Sequence, residues 1–263
     1  MEGLIKKAAA EVGFASVGIT SAYPVEGLLH LNDAIDSGRT AAMGWLTRDP
    51  RARCEPSSLL SGARSVICCA LAYGEHGIAL DNPPKLAPSP LGGEGRGEGG
   101  LRARFARGAD YHDVVRKKLG LLWEAVRRAA PGARANICVD TSPILEKALA
   151  ARAGLGWIGK HTILLNQELG SWFMLGEIIT DLELEPDASA ADRCAGCRAC
   201  IEACPRGAFT APRSLDARKC ISYLTIERGE EGDAYGCDAC QDACPYNTLA
   251  CHLQPGTHLV AAD

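Results

Sequence analysis

Three features are missing from this 263-residue sequence. No stretch of about 18 apolar residues is free of charged side chains, so we expect no membrane-spanning helix and no membrane partner. Positive charge is not in excess, because the formal net charge is -4; any contact with a nucleic acid must therefore use a local basic patch. The first seven residues, MEGLIKK, lack the apolar core of a secretory signal. These absences favour a cytoplasmic protein.

Cysteine, in contrast, is abundant. The chain has 13 cysteines, and in the absence of a secretory signal this number indicates metal ligation in a reducing compartment. A run of the form C-x2-C-x2-C-x3-C-P covers residues 194–205, and its second half recurs at 237–245. Cys220 stands between the two runs.

This spacing is typical of two [4Fe–4S] clusters. Three closely spaced thiolates bind one cluster, and the cysteine that precedes proline binds the other. We therefore expect one cluster on Cys194, Cys197, Cys200 and Cys244, and the other on Cys204, Cys220, Cys237 and Cys240. Two zinc sites are one alternative, although zinc sites rarely use such a run. A disulfide knot is another, but it would require a secreted chain.

The rest of the sequence predicts a mixed α/β core. Apolar runs of strand length occur at residues 14–20, 65–72, 134–140 and 171–180, and helical spacing occurs at 4–12, 114–130 and 144–153. Asp140 stands at the C-terminal end of a predicted strand, where open α/β sheets collect ligands. We interpret Cys68, Cys69 and Cys138 as small core residues.

Two glycine-rich segments require separate interpretations. Residues 81–100 are rich in Gly and Pro, and we expect them to form a flexible insertion without a role in chemistry. Residues 154–162 satisfy G-x-G-x-x-G and nearly satisfy G-x4-G-K-[ST]. Both nucleotide motifs need a strand before the glycines and a helix after them, whereas here the order is reversed. We reject nucleotide binding and expect this backbone to approach some other large ligand.

A basic segment begins with Arg102, Arg104 and Arg107 and continues into the helix predicted at 114–130. One interpretation is a solvated helix surface. The other is a phosphate-binding patch for a nucleic acid. The residues alone leave both interpretations open.

Several longer motifs occur in a fixed order. They are DTSPILE at 140–146, GLGWIGK at 154–160, GSWF at 170–173, GEI at 176–178 and CISYLTIE at 220–227. Together with the cysteine runs, they resemble the epoxyqueuosine reductase family over nearly the whole chain. The resemblance implies a fold of the α+β or α/β class. A nitroreductase-like, cobalamin-binding domain at 1–185 would be followed by a bacterial-ferredoxin-like domain with two [4Fe–4S] clusters at 186–263, as in reductive dehalogenases.

The resemblance also implies an activity. Members of the family reduce the epoxide of epoxyqueuosine in tRNA to the alkene of queuosine, using cobalamin, two clusters and an external low-potential electron donor. A monomer that contacts tRNA through Arg102, Arg104 and Arg107 is implied. Cobalamin contacts are implied for Arg53, Asp140, Gly159, Lys160, His161, Thr162, Ser171 and Ser222.

The resemblance indicates Asp140 as the proton donor in this reaction. We expect a carboxyl group buried near a corrin to stay protonated at neutral pH, because desolvation disfavours its charged form. The alternative is a structural role, in which Asp140 caps the helix that follows Thr141, Ser142 and Pro143.

Three features depart from the family pattern: the insertion at 81–100, His161 in place of the usual Asn, and Phe105 in place of the usual Tyr. Many members also continue with helical repeats that help to grip tRNA, so we expect a lower tRNA affinity here. Two other functions stay open. One is reduction of a small organohalide by a corrinoid enzyme, and the other is simple electron transfer by a ferredoxin.

Overall fold

The computed structural model describes residues 1–74, 78, 102–230 and 234–250. The insertion predicted at 81–100 and Cys251 lie outside these described residues. The helices are α1 (Glu2–Glu11), α2 (Leu28–Asp36), α3 (Gly44–Thr47), α4 (Pro50–Cys54), α5 (Tyr111–Ala129), α6 (Glu146–Arg152), α7 (Ala199–Glu202), α8 (Ala239–Asp242) and α9 (Pro245–Ala250). The strands are β1 (Ser16–Ser21), β2 (Ser65–Ala72), β3 (Ala135–Cys138), β4 (Trp157–Ile158), β5 (Leu164–Leu165), β6 (Phe173–Thr180), β7 (Phe209–Ala211) and β8 (Ser214–Leu215).

A four-stranded sheet in the order β1-β2-β6-β3 forms the centre of the fold. Each pair of neighbours is antiparallel. The sequence reasoning placed Asp140 by a rule for open α/β sheets, and that rule does not apply to an antiparallel sheet. Asp140 nevertheless follows the last residue of β3 by two positions, so its place at a strand end is confirmed for a different reason.

Helices cover both faces of this sheet. Helices α1 and α5 pack on one face, and α6 packs on the other. Side chains alternate between the faces as the pleat requires: Ile67 and Cys69 lie in the core on one side, and Val66 and Cys68 lie in the core on the other. Cys138 is also fully buried. The interpretation of these cysteines as core residues is confirmed.

Helix α5 shows how the sequence specifies this layer. Its fully buried residues are spaced by four, three and four positions, which aligns them on one face; they are Val115, Leu119, Leu122 and Val126. The carboxylate of Asp110 caps the helix by accepting the backbone N–H of His112 at 2.9 Å. This end of α5 therefore has a fixed position, next to the end of β3.

The glycines of the GLGWIGK motif have a structural explanation. A Cβ atom at Gly156 would lie 1.9 Å from the carbonyl oxygen of Leu165, and one at Gly154 would lie 2.4 Å from that of Ala188. Gly154 also has a φ of +82°, which favours glycine. The backbone that approaches these two residues belongs to the chain itself, so our expectation of a ligand there is wrong for both positions.

We predict that Gly156→Ala lowers the free energy of unfolding by about 1–3 kcal/mol, the usual cost of forcing extra volume into a packed site. Gly120→Ala is the matched control, because a Cβ atom there has nothing within 4 Å. Chemical denaturation of both variants measures the difference. Equal stability of the two would contradict this explanation of the motif.

The C-terminal part contains short elements rather than a second large sheet. The pair β7–β8 forms a two-stranded sheet, and α7, α8 and α9 each follow or precede cluster cysteines. A π-helix spans Tyr223–Glu227. The division of the chain at residues 185 and 186 stays a prediction. None of the helices in the described ranges has the length and apolarity needed to cross a lipid bilayer.

Candidate active site

The cysteines of the C-terminal part gather into two sets. Burial and three neighbouring sulfurs raise the pKa of Cys200; the neighbours are Cys244, Cys194 and Cys197. Burial and other sulfurs raise the pKa of Cys240 to about 12; they are Cys237, Cys220, Cys200 and Cys204. The structure therefore brings together the two sets that the spacing predicts. Because the charge of Cys200 contributes to the raised pKa of Cys240, the two sets lie next to each other.

A cavity of about 390 Å³ opens among the first set, and all four of its cysteines line the wall. The buried Nε2 atom of His161, which also lines this cavity, has no hydrogen-bond partner among the described residues. Burial lowers the pKa of His161 to about 4, so its ring is neutral. Four thiols around a cavity of this kind fit a [4Fe–4S] cluster.

A single metal ion fits less well. Within the described ranges, no group of three or more His, Cys, Asp or Glu side chains is close enough to hold one ion. A cubane cluster binds each thiolate through a different iron, so its cysteines stand further apart than the ligands of one zinc ion. The geometry favours clusters over the alternative of zinc.

Several N–H groups point at the cysteine sulfurs. The indole Nε1 of Trp157 donates to Sγ of Cys194 at 3.4 Å, and the backbone N–H of Ala208 donates to Sγ of Cys204 at 3.3 Å. The backbone N–H groups of Tyr246 and Asn247 partly offset the rise that burial causes in the pKa of the Cys244 thiol. Such donors stabilise the negative charge of thiolates and of the cluster that they hold.

Asp140 lies in a loop between β3 and α6, with the left-handed φ of +47°. Its carboxylate Oδ2 is 3.2 Å from Nε2 of His112, whose Nδ1 is 2.8 Å from Oδ1 of Asp110. Burial alone would lower the pKa of His112, but the hydrogen bonds to Asp110 and Asp140 raise it. Burial and the charge of Asp140 raise the pKa of Tyr111, whose hydroxyl interacts with Asp140.

Two expectations about Asp140 are corrected by this geometry. Its side chain is 53% exposed, so the protein alone does not bury it; only a bound molecule would do so. Helix α6 starts at Glu146 with Leu145 as its N-cap, so Asp140 is not a helix cap. The structural alternative is wrong because Asp140 is too far from the first turn of α6.

Arg53 lies next to this loop. Its side chain is buried, and its backbone carbonyl accepts the N–H of Leu145 at 3.1 Å. The guanidinium donates to the carbonyl oxygen of Trp45 at 2.6 Å and stacks over the Trp45 ring. No carboxylate pairs with it among the described residues, and burial lowers its pKa. A buried cation with spare donors fits a ligand that offers acceptor oxygens.

Three large apolar or aromatic side chains are exposed, and one of them, Trp45, lies against the Arg53 guanidinium. Trp45 is 48% exposed, Ile226 37% and Tyr235 36%. The Trp45 indole donates to Glu227 at 3.3 Å, which connects the α3 region to the π-helix that follows Ser222. The exposed Trp45 ring and the spare donors of Arg53 are the kind of apolar and hydrogen-bonding surface that a corrin would cover.

Other predicted cobalamin contacts have a different role in the structure. Nζ of Lys160 donates to the carbonyl oxygens of Ala195 and Cys197 at 2.5 and 2.7 Å. Ser171 is 1% exposed, and its hydroxyl donates to Gln241 and accepts from Asn247. Both side chains bind the cysteine-rich part of the chain, and their contact with cobalamin stays a prediction.

The short turn at Gly159–Thr162 also differs from expectation. The N–H of Thr162 donates to Gly159 at 3.0 Å, and the carbonyl of Thr162 accepts from Lys147 at 2.8 Å. A Cβ atom at Gly159 would meet His161 and Leu165, which places this glycine against its own chain. With His161 at the cluster cavity, the turn supports the cluster site rather than a corrin.

The three arginines predicted to bind tRNA separate into two kinds. Arg104 donates to Asp242 at 2.7 Å, and its guanidinium lies 4.1 Å from the centre of the Trp172 ring. Its side chain is 17% exposed and helps to hold α8, so little of it is accessible to tRNA, and its contact with tRNA stays a prediction. Arg102 and Arg107 are exposed and stay candidates for phosphate contacts.

Sequence reasoning missed four polar residues around Asp140. They are Tyr111, His112, Glu146 and Glu177. For Glu177 a signal was present, because it is a lone acid within the apolar run 173–180, and such a residue in a buried strand needs a special reason. The contact between His112 and Asp140 joins residues 28 positions apart and has no local signature.

Comparisons with known proteins agree with this geometry. The family described as epoxyqueuosine reductase QueG, DUF1730 matches residues 53–141, and the 4Fe-4S double cluster binding domain matches residues 193–247. An epoxyqueuosine reductase from Gloeobacter violaceus is 40% identical over 259 residues, which cover 94% of this chain and 76% of that protein. One from Vibrio cholerae is 37% identical and covers 94% and 67%.

Solved structures agree too. An epoxyqueuosine reductase crystallised with an epoxyqueuosine-modified tRNA-Tyr stem loop superposes with a TM-score of 0.79 at 34% identity, covering 94% of this chain and 65% of that one. A Bacillus subtilis enzyme with its catalytic aspartate loop swung out of the active site gives 0.74 at 33% identity, covering 94% and 64%. This chain thus spans about two thirds of the length of these solved relatives.

A catabolic reductive dehalogenase superposes with a TM-score of 0.60 at 18% identity, covering 92% of this chain and 31% of that one, which extends the likeness in fold alone. The fold class expected from the sequence is confirmed, with an antiparallel sheet at its centre. Identity of 40% across nearly the whole sequence, together with the paired cysteine sets and the Asp140 loop, shows that this chain belongs to the epoxyqueuosine reductase family.

Proposed function

We propose that this protein reduces the epoxide of epoxyqueuosine in tRNA to the alkene of queuosine. The observation that carries the proposal is the placement of an exposed acid, Asp140, beside His112 and Tyr111 in a chain that also holds two cysteine sets. Removing the epoxide oxygen as water takes two electrons and two protons. Side chains do not supply electrons at low potential, so the electrons require redox cofactors.

The residues present fit these cofactors. The two cysteine sets would hold two [4Fe–4S] clusters, and Arg53, Asp140 and the segment at Ser222 would contact cobalamin. When bound, reduced cobalamin supplies the low-potential electrons at the epoxide carbon, fed by the clusters. Because the two sets adjoin at Cys200 and Cys240, two clusters held by them would lie next to each other.

Asp140 delivers a proton to the oxygen that leaves the ring. An acid must lie within hydrogen-bond reach of the atom that it protonates, and the exposed carboxyl of Asp140 is free to meet a bound substrate. His112 contacts the same carboxylate through Nε2, so it is placed to return a proton after each turnover.

We further propose that exposed arginines bind the tRNA phosphates. Arg107→Gln should weaken tRNA binding and lower the slope of log affinity against log salt by about 1, the amount expected for one lost phosphate contact. Arg127→Gln, an exposed change near the other end of α5, is the matched control and should leave the slope unchanged. Equal slopes for both variants and the parent would remove Arg107 from the tRNA surface.

Other functions make different predictions. A simple electron carrier would bind iron and sulfide but no corrin, so absorbance of the reconstituted protein with added cobalamin distinguishes it. A small-molecule reductase would turn over an organohalide without tRNA. We propose instead a monomer that acts in the cytoplasm and takes electrons from an external low-potential donor. Conversion of epoxyqueuosine tRNA without conversion of organohalides is the expected result, and the reverse pattern would overturn the proposal.

A further inference from the structure

Two carboxyl groups lie together beneath the Asp140 loop. Glu177 is in the middle of β6, paired with Cys68 of β2 and Cys138 of β3, and it is 0% exposed. Neither of its oxygens has a hydrogen-bond partner of ordinary geometry among the described residues. The side chain that interacts with it is Glu146, the first residue of α6.

Glu177 is fully buried and Glu146 is half-buried. Two such carboxylates side by side do not both ionise readily, because burial disfavours the charged form and each charge repels the other. An ionised carboxylate only accepts hydrogen bonds, whereas a protonated one also donates. One proton on the pair would therefore supply the donor that the Glu177 oxygens lack. Burial, followed by the charge of Glu146, raises the pKa of Glu177 well above its ordinary value. Burial raises the pKa of Glu146 to about 7.

The surroundings do not neutralise the pair. The other titratable groups whose charges act on it are Cys68, Cys69, Cys138, Tyr111, Asp140 and Lys147. Lys147 is the cation in this set, and its ammonium donates to the carbonyl of Thr162 at 2.8 Å. Burial raises the pKa of the three cysteine thiols, so they stay neutral. Lys147 lowers the pKa of Glu146 but is not among the groups that act on Glu177, so a proton is left as the means of balancing the charge of Glu177.

The pair is joined directly to the Asp140 backbone. Oε1 of Glu146 accepts the N–H of Asp140 at 2.6 Å. Asp140 has a φ of +47°, a conformation that is less favourable for most non-glycine residues and that this hydrogen bond helps to hold. An N–H donor stabilises the charged form of Glu146, whereas Glu177 has no such donor. The proton of the pair therefore belongs on Glu177.

We propose that a proton held on Glu177 keeps Glu146 in place as a carboxylate, and that Glu146 in turn fixes the backbone of Asp140 for catalysis. Glu146 and Glu177 are thus positioning residues. The inference rests on the proposed role of Asp140, but the hydrogen bond and the proton are measurable without any turnover.

The proton has a consequence for stability. Because the folded-state pKa values of these acids lie above the ordinary value of 4.5, the folded protein binds protons more tightly than the unfolded chain. The contribution to stability is complete below about pH 4.5 and is lost as the pH rises through the folded pKa values. Glutamine at position 177 resembles the protonated acid but does not titrate. Glu177→Gln should therefore remove the contribution of Glu177 to the pH dependence of stability.

The test compares Glu177→Gln and Glu177→Met in the reconstituted protein. Between pH 5 and pH 8 the melting temperature of Glu177→Gln should fall less than that of the parent, whereas the exposed control Glu124→Gln should follow the parent. Exchange of the Asp140 amide hydrogen should stay slow in Glu177→Gln and become about tenfold faster or more in Glu177→Met, as expected when a hydrogen bond to a charged group is lost.

Parallel melting curves for the parent and Glu177→Gln would overturn the shared proton. Unchanged Asp140 exchange in Glu177→Met, or in Glu146→Ala should the first variant fold poorly, would overturn the positioning role. Neither the melting temperature nor the amide exchange depends on reduction of epoxyqueuosine. A failure of the proposed function can therefore be distinguished from a failure of this inference. In turnover, the kcat of Glu177→Gln should change less between pH 5 and pH 8 than the kcat of the parent.

Discussion

Asp140→Asn is expected to slow conversion of epoxyqueuosine tRNA by about 10²–10⁴-fold, the usual contribution of a general acid. Asparagine keeps the size of the side chain and can still bond to His112, but it has no proton to deliver to the leaving oxygen. Folding, iron content and cobalamin absorbance should stay at parental values. Single-turnover kinetics on the reduced protein measure the chemical step without interference from product release.

Asp113→Asn is the control for this result. Asp113 lies in the first turn of α5, near Asp140, and it is exposed, so its substitution should leave the rate close to the parental value. A near-parental rate for Asp140→Asn would contradict the catalytic assignment. A rate loss that follows loss of the Asp140 conformation would appear as faster amide exchange in the 139–145 segment, which asparagine is not expected to cause.

Cys220→Ala is expected to remove one whole cluster and leave about half of the iron, because each cubane needs four thiolates. Cys220 stands outside both close-spaced runs, so this variant tests the crossed assignment more strictly than a change within a run. Electron paramagnetic resonance of the reduced variant should show one cluster signal, and turnover should be lost because the electron route is broken.

The control for this variant is Cys68→Ala, since Cys68 is fully buried in the sheet and should have no effect on iron. Cys251, the one spare thiol near the second run, lies outside the described residues; a Cys220→Ala/Cys251→Ala protein shows whether it substitutes. Full iron content in that double variant would refute the assignment of Cys220.

The cluster site could be predicted from the sequence because its rule is local. The C-x2-C spacing brings three thiolates into one loop, and the proline after the fourth cysteine marks the exchange of ligands between clusters. Cys220 lies outside both runs, so its assignment depends on the fact that the second run has one closely spaced cysteine fewer than the first. The structure gathers it with Cys204, Cys237 and Cys240.

The cobalamin surface could be predicted only in part. Arg53 and Asp140 lie on neighbouring segments, joined by the hydrogen bond from Leu145 to the Arg53 carbonyl. The sequence analysis also predicts cobalamin contacts for Lys160 and Ser171, whose side chains bind the cysteine-rich part in the structure. The residues that they contact are 35 to 76 positions away in the sequence. No local pattern shows whether such a residue faces the cobalamin or the cysteine-rich part.

Charge patterns gave the least reliable prediction. Arg102, Arg104 and Arg107 form a basic run in the sequence, yet Arg104 packs on Trp172 and pairs with Asp242. An arginine that stacks on a ring and binds a carboxylate is a structural tie, and its position in a basic run does not reveal this. Exposure in the folded protein separates it from Arg107.

The measurement that tests the central claim most directly is nucleoside mass spectrometry of epoxyqueuosine tRNA after anaerobic incubation with the reduced, reconstituted protein. We predict the appearance of queuosine when both cobalamin and the clusters are present, and none when cobalamin is omitted or when Cys220→Ala replaces the parent. Unchanged epoxyqueuosine with the fully loaded protein, or equal conversion without cobalamin, would contradict the account.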